Sequence, residues 1–210
     1  MEKHEIETIK KDIFSDFCIS AVLPLDLNAL EGECYHLREH GGESNRSNRL
    51  GWQSEILTKG PENLLNLKGM VNEFAAKALE EIGLTVKVYD SQYWININRN
   101  LSYNLIHHHG RMDLIAIVYI RAPEGCGRFV ASRNDGSCYT STYKKAHHQK
   151  YGNAFYHTPK EGEIILLPGH VWHHVEPSET DNDRISISYN VMLHKSPINI
   201  IPQSNDHGRT

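Results

Sequence analysis

The residues with the most chemical capacity in this chain are His107-His108-His109, His173-His174 and, shortly after them, Arg184. Histidine is the commonest metal ligand. In extended backbone, side chains i and i+2 share a face about 6.6 Å apart. His107 and His109 can therefore converge on one ion while His108 points away. His173 comes from a distant part of the chain and would complete a three-histidine shell, with metal–nitrogen bonds of roughly 2.1 Å. Only one nitrogen of each ring binds; the other should donate to a carbonyl or carboxylate that fixes the tautomer. The guanidinium of Arg184 is a planar fork suited to a carboxylate, and Ser186 adds a hydroxyl donor on the same strand face. These parts describe a mononuclear metal site with an anionic co-substrate.

Non-haem iron sites usually present two histidines and one carboxylate, leaving positions open for co-substrate and O₂. Asp113 lies about 13 Å of extended chain beyond His109, too far to share the ion unless Gly110 reverses the chain, and Glu176 lies about 10 Å beyond His173. His109 is the working third ligand, and a carboxylate from elsewhere in the chain stays open as the alternative. For Arg184 the alternative is a structural ion pair with Glu179, Asp181 or Asp183.

Positioning these groups requires strands. Arg184 to Val191 alternates, with Arg184, Ser186, Ser188 and Asn190 against Ile185, Ile187, Tyr189 and Val191. If the isoleucines pack outward, the polar face looks inward, and a buried arginine needs a partner. Trp94 to Asn98 alternates likewise, setting Asn96 and Asn98 opposite Ile95 and Ile97. Leu114 to Ile120 and Ile164 to Leu167 are apolar throughout, as expected of strands covered on both faces. Val86 to Tyr89 is a further short candidate. Before these, Phe17 to Leu23 reads as a strand, and Asp26 as the cap of a helix through Leu27, Leu30 and Leu37. Gly41 to Arg49 reads as a polar loop. A helix is expected from about Glu62 to Ile82, stopped by Gly83.

Helices first and short strands after suggest one domain over 1–210, mainly β with a helical support layer. Residues 1–85 would form the mainly helical support and 86–195 a double-stranded β-helix (jelly-roll, cupin-like) core. A polar stretch of about 123–158 lacks periodicity and reads as a lid or a disordered segment. Within it Tyr139, Tyr143, Tyr151, Phe155 and Lys144-Lys145 would shape a pocket or a solvated flap, and His147-His148 reads as an exposed pair.

Composition limits the function classes. The chain has 210 residues, 39% of them hydrophobic, with 14 histidines and a net charge of -4. It has no Lys/Arg run, which argues against a nucleic-acid coat. Its first residues carry charges where a secretory signal needs an apolar segment, and no stretch approaches membrane-spanning length. A cytoplasmic protein without membrane or nucleic-acid partners is expected. Four widely spaced cysteines, Cys18, Cys34, Cys126 and Cys138, read as reduced thiols.

The segment from Asn104 to His109, leading into Ile117-Val118-Tyr119, and the segment His173-His174-Val175 followed by Arg184 to Asn190 (RISISYN) resemble a known family. It is that of the 2-oxoglutarate/Fe(II)-dependent oxygenases of double-stranded β-helix fold, and within it a small phage and bacterial group with N-x-x-H-x-H and H-x-V…R-I-S-I-S-x-N segments. Gly51-Trp52-Gln53-Ser54 is similar to a G-W-x-S segment of that group. The resemblance spans roughly 51–191.

The resemblance implies Fe(II) as cofactor and 2-oxoglutarate as co-substrate. It implies His107 and His173 as iron ligands, Arg184 with Ser186 as the clamp on the far carboxylate of 2-oxoglutarate, and Asn96 as a further contact to it. The reaction would be hydroxylation of a small-molecule or peptide substrate with O₂, releasing succinate. His109 stands where most of the superfamily has Asp or Glu, although the narrower group tends to histidine. It fills the room a halide would need, so halogenation is not expected. Ile115-Ala116 replaces a usual Ser-Gly, and Gly110-Arg111-Met112 a Pro-containing turn. Two other readings use the same residues. One is a cupin-like dioxygenase or isomerase without 2-oxoglutarate, its substrate carboxylate on Arg184. The other is a non-catalytic metal-binding jelly-roll module, whose structural zinc would need a closed four-ligand shell.

Overall fold

Alternating polar and apolar residues become the two longest strands. The computed structural model describes residues 16–44, 46–132, 154–194 and 199–200. In it β5 (Val88–Asn98) and β12 (Arg184–Leu193) pair antiparallel, with Arg184 opposite Asn98 and Ser186 opposite Asn96. On the other side of β12 runs β7 (Leu114–Arg121), then β10 (Glu163–Pro168), then β1 (Ile19–Val22) at the edge. The short β3 (Trp52–Gln53) closes the opposite edge against β5.

A second antiparallel sheet has the order β2 (Asn48–Arg49), β6 (Tyr103–His107), β11 (Trp172–Val175), β8 (Phe129–Ser132) and β9 (Ala154–His157). A two-stranded pair joins β4 (Leu84–Thr85) to β13 (Asn199–Ile200). The two larger sheets form a jelly roll.

Two apolar layers explain the unbroken hydrophobic runs. One face of the large sheet presents Ile95, Ile97, Ala116, Val118, Ile164, Leu166, Ile185 and Ile187 to the helices α1 (Leu27–His40) and α2 (Glu62–Glu81). The other face of β7 and β10 presents Ile115, Ile117, Tyr119, Ile165 and Leu167 to Phe129 of the second sheet. Each such Ile or Leu, fully buried, contributes about 1.5–3 kcal/mol. Because β7 and β10 are covered on both sides, neither can alternate.

The helices lie where their caps put them. Asp26 accepts the Ala29 N–H at 3.0 Å as N-cap of α1. The N-cap of α2 is Pro61, which offers no side-chain acceptor. Glu33 of α1 takes that role from outside. Its carboxylate accepts the Asn63 N–H at 3.1 Å, the Asn63 side chain at 2.7 Å and the Leu64 N–H at 2.9 Å, at the positive end of the helix dipole. Gly83, at φ +82°, ends the helix in the left-handed region that favours glycine.

Three expectations change. Val86 to Tyr89 and Trp94 to Asn98 are not separate elements: β5 runs through the polar Asp90-Ser91-Gln92 between them, with Ser91 fully buried. Before residue 86, β1 lies within the strand expected at Phe17 to Leu23, but β2 and β3 also join the sheets; two-residue strands leave no periodicity to read. The stretch 123–158 is not all loop. β8 and β9 pair antiparallel from Phe129↔His157 to Ser132↔Ala154. Tyr139, Tyr143, Tyr151, Lys144-Lys145, His147-His148 and Cys138 lie outside the described residues. Among the described residues no helix is long and apolar enough to cross a membrane.

Candidate active site

β6 and β11 are neighbours in the smaller sheet, and their register sets His107 directly opposite His173. Their ring centroids stand 4.4 Å apart. β6 ends at His107, so His109 does not reach the site as the next same-face residue of a strand. It sits in a turn instead, pinned at both ends of its peptide: its N–H donates to the Gly169 carbonyl at 2.7 Å, and its carbonyl accepts the Met112 N–H at 2.7 Å. A Cβ on Gly169 would collide with the Met112 carbonyl and come within 3.1 Å of the His109 carbonyl. The Pro168-Gly169 corner therefore needs glycine for this close approach. One ring nitrogen from each of His107, His109 and His173 lies within 4.8 Å of the others.

All three rings have a fixed tautomer. His107 donates Nδ1–H to its own Leu105 carbonyl at 2.6 Å, and His173 does the same to Val171 at 2.9 Å. His109 Nδ1 meets the Asn190 side-chain oxygen at 2.6 Å. Every Nδ1 is committed to an oxygen, so each ring is left with Nε2 to offer a metal. The rings are also neutral. Burial pushes His173 down to about 3 and His109 down to about 4, and lowers His107 as well. Neutral imidazole is the form that binds a metal. Trp94 stacks on His109 with centroids 5.6 Å apart, and Phe129 on His173 at 5.4 Å.

A narrow cavity runs inward from the histidines between the sheets, lined on its far side by Arg184, Ser186, Asn96, Asn104 and Tyr119. Arg184 is only 2% exposed. It has no carboxylate partner among the described residues. Asp183, the acid beside it in sequence, is occupied by Arg99, Arg38 and Tyr35. Arg184 reaches only the carbonyls of Cys126 at 3.3 Å and Gly127 at 3.5 Å, and the Asn104 side chain at 3.5 Å. Its Nε has no hydrogen-bond partner among the described residues. A buried guanidinium without a counter-charge costs several kcal/mol. An anion in the cavity removes that cost.

The residues expected from sequence thus separate into groups. His107, His109, His173, Arg184, Ser186 and Asn96 all line the one cavity. Asn96 is already engaged, accepting from Gln53 at 3.0 Å and donating to Ser188 at 3.3 Å, so its amide keeps one free N–H. Asp113 and Glu176 are not ligands: Asp113 accepts the Leu193 N–H, and Glu176 pairs with Arg128 at 2.7 Å. His108 is exposed and packs on Trp172, away from the triad. Tyr119 and Asn190 stood in the resembling segments without a role of their own. Tyr119 lies inside an apolar run, and the contact of Asn190 to His109 joins residues far apart in sequence. Only Asn190's place at the end of the alternating polar face signalled it.

Comparison with known proteins agrees with this geometry. A family model described as "Putative 2OG-Fe(II) oxygenase" matches residues 92–190. No curated protein matches the sequence. Among solved structures, a Pseudomonas putida prolyl-4-hydroxylase superposes with TM-score 0.60 at 16% identity, over 83% of this chain and 91% of that one. A prolyl hydroxylase from Trichoplax adhaerens gives 0.61 at 12% identity, over 83% of each chain. The α-ketoglutarate-dependent epimerase SnoN of nogalamycin biosynthesis gives 0.60 at 15% identity, over 84% of this chain and 76% of that one. The structural likenesses establish the fold; the family match marks residues 92–190, which include all three histidines and the arginine, as a 2OG-Fe(II) oxygenase domain.

Proposed function

We propose that this protein is a hydroxylase in which His107, His109 and His173 hold Fe(II) through Nε2, and Arg184, with Ser186 beside it, holds the far carboxylate of 2-oxoglutarate. The observation that carries this reading is the buried Arg184 without a counter-anion, at the inner end of a cavity whose other end is three Nδ1-committed, neutral histidines. The donor set suits a metal with open positions, because three protein ligands leave room for co-substrate and O₂. Bound iron with 2-oxoglutarate and O₂ supplies the oxidising chemistry, giving succinate, CO₂ and an oxidised C–H bond.

The protein's own residues do the rest. The carbonyls of Leu105 and Val171 and the amide of Asn190 orient the imidazoles. Arg184 sets the direction in which the co-substrate lies, its fork matching a carboxylate in two contacts. Tyr119 and Asn104 add polar edges to the same wall, and Ile115, Ile117 and Phe129 keep it dry. A dry wall strengthens the charge–charge contact to Arg184.

The test is succinate formation from 2-oxoglutarate by the purified protein, with Fe(II) and O₂ added or withheld. Succinate should form only when both are present, and His173→Ala should form none. Turnover of an added substrate without 2-oxoglutarate would favour the cupin-like dioxygenase reading instead.

A further inference from the structure

A second space meets the histidines from outside. It is a cleft of about 450 Å³, walled by the turn at His108–Met112, the end of β6, Trp94, and Ser44, Arg46, Ser47, Gln53 and Ser54. That volume is in the range of small-molecule sites. Its lining contains Arg46 and Arg111 and no Asp or Glu. The absence is notable in a chain with 26 acidic residues against 22 basic ones.

The arginines of this protein are otherwise spoken for. Arg38 and Arg99 bind Asp183, Arg121 binds Glu31, and Arg128 binds Glu176. Arg49 donates to the carbonyls of Arg46 and Asn48, and Arg184 lies inside the barrel. Among the described residues, the two arginines whose guanidinium groups meet no hydrogen-bond or ion-pair partner are Arg46 and Arg111. Both line this one cleft, on separate segments of chain. Trp94, Met112 and Ile56 give the same cleft an apolar body.

Resting on the iron-site reading above, we infer that this cleft takes a small organic anion as the substrate to be oxidised, its carboxylate or phosphate held by Arg46 and Arg111 and its apolar part against Trp94 and Met112. The cleft is separate from the anion position at Arg184, which the co-substrate fills from the inner side. Arg46 and Arg111 are exposed, and the contacts of Arg46 run through its backbone, so replacing the two side chains leaves the fold intact. Cationic groups at the mouth also raise the encounter rate of an anion.

The test is ligand-observed NMR on the full chain loaded with diamagnetic Zn(II) and saturating 2-oxoglutarate, so that Arg184 is occupied. The probes are matched pairs: small carboxylic acids with their primary amides, and phosphate monoesters with their parent alcohols. Charged members should bind about tenfold tighter than their neutral twins, the scale of one charge-assisted contact. That preference should vanish in the Arg46→Gln/Arg111→Gln double variant and reverse in Arg46→Glu/Arg111→Glu. Whether acids or phosphate esters show the larger preference identifies the anion. Equal binding of charged and neutral twins, or a preference that survives charge reversal, overturns the inference. Failure of Zn(II) or 2-oxoglutarate to bind at all overturns the iron-site reading instead, and the two failures are seen separately in the same samples.

Discussion

Asn190 holds the ring of His109 at 2.6 Å and, among the described residues, is the one hydrogen-bond partner that fixes its tautomer. Replacing it with alanine should free the ring to rotate and weaken metal binding about 10–100-fold, the usual effect of removing such an orienting partner. Calorimetric titration with Co(II) measures this, and Asn190→Asp, which keeps the acceptor, should restore most of the affinity. At this scale the sequence named residues that share one cavity but misread how the chain delivers them. Spacing alone paired His107 with His109, yet it assumed a continuous strand where the structure has a turn held by Gly169. Chain distance counted against Asp113 only for an extended backbone; the chain turns at Gly110, and Asp113 accepts the Leu193 N–H while Glu176 pairs with Arg128. The lack of a counter-ion for Arg184 was not legible, because three acids lie within a few residues of it, and only the fold shows that Asp183 is taken by other groups.

Elements place these residues, and two contacts between elements do so with little redundancy. Gly169→Ala would drive a Cβ into the Met112 carbonyl and displace the turn that carries His109. It should destabilise the protein by about 2–3 kcal/mol and lower metal affinity as well, seen in denaturant melts with and without Zn(II). Glu33→Ala removes three hydrogen bonds from the start of α2. It should cost about 1–2 kcal/mol while leaving metal affinity unchanged, because α2 packs on the far face of the large sheet. Long periodic elements, α2 and β12, could be read from sequence to within a residue or two. Two-residue strands and the β8–β9 pair could not, since a strand that short is defined by its partner rather than by its own pattern.

For the whole molecule, metal binding, protonation and stability are linked. In the metal-free protein burial holds His173 at about 3 and His109 at about 4, against 6.5 for a free imidazole. Above pH 6.5 both states are neutral and stability is full. As pH falls from there toward the folded-state values, the unfolded chain takes up protons that the folded protein refuses. Stability should therefore drop with falling pH by up to about 1.4 kcal/mol per pH unit for each such histidine. Urea melts of metal-free protein between pH 7 and 5 check the sign; a flat profile would show the rings to be solvated. Added metal binds only the folded, neutral site, so Zn(II) at about 1,000 times its dissociation constant should raise stability by about 4 kcal/mol at pH 7, and chelator should reverse it.

Anaerobic calorimetry of 2-oxoglutarate binding to the Fe(II)-loaded protein tests the pairing of histidines and arginine most directly. Wild type should bind one equivalent, His173→Ala should bind neither iron nor co-substrate, and Arg184→Ala should keep its iron but lose at least about 30-fold in 2-oxoglutarate affinity, the lower end of the cost of truncating a buried charge pair. An Arg184→Ala protein that binds 2-oxoglutarate as tightly as wild type would contradict the assignment.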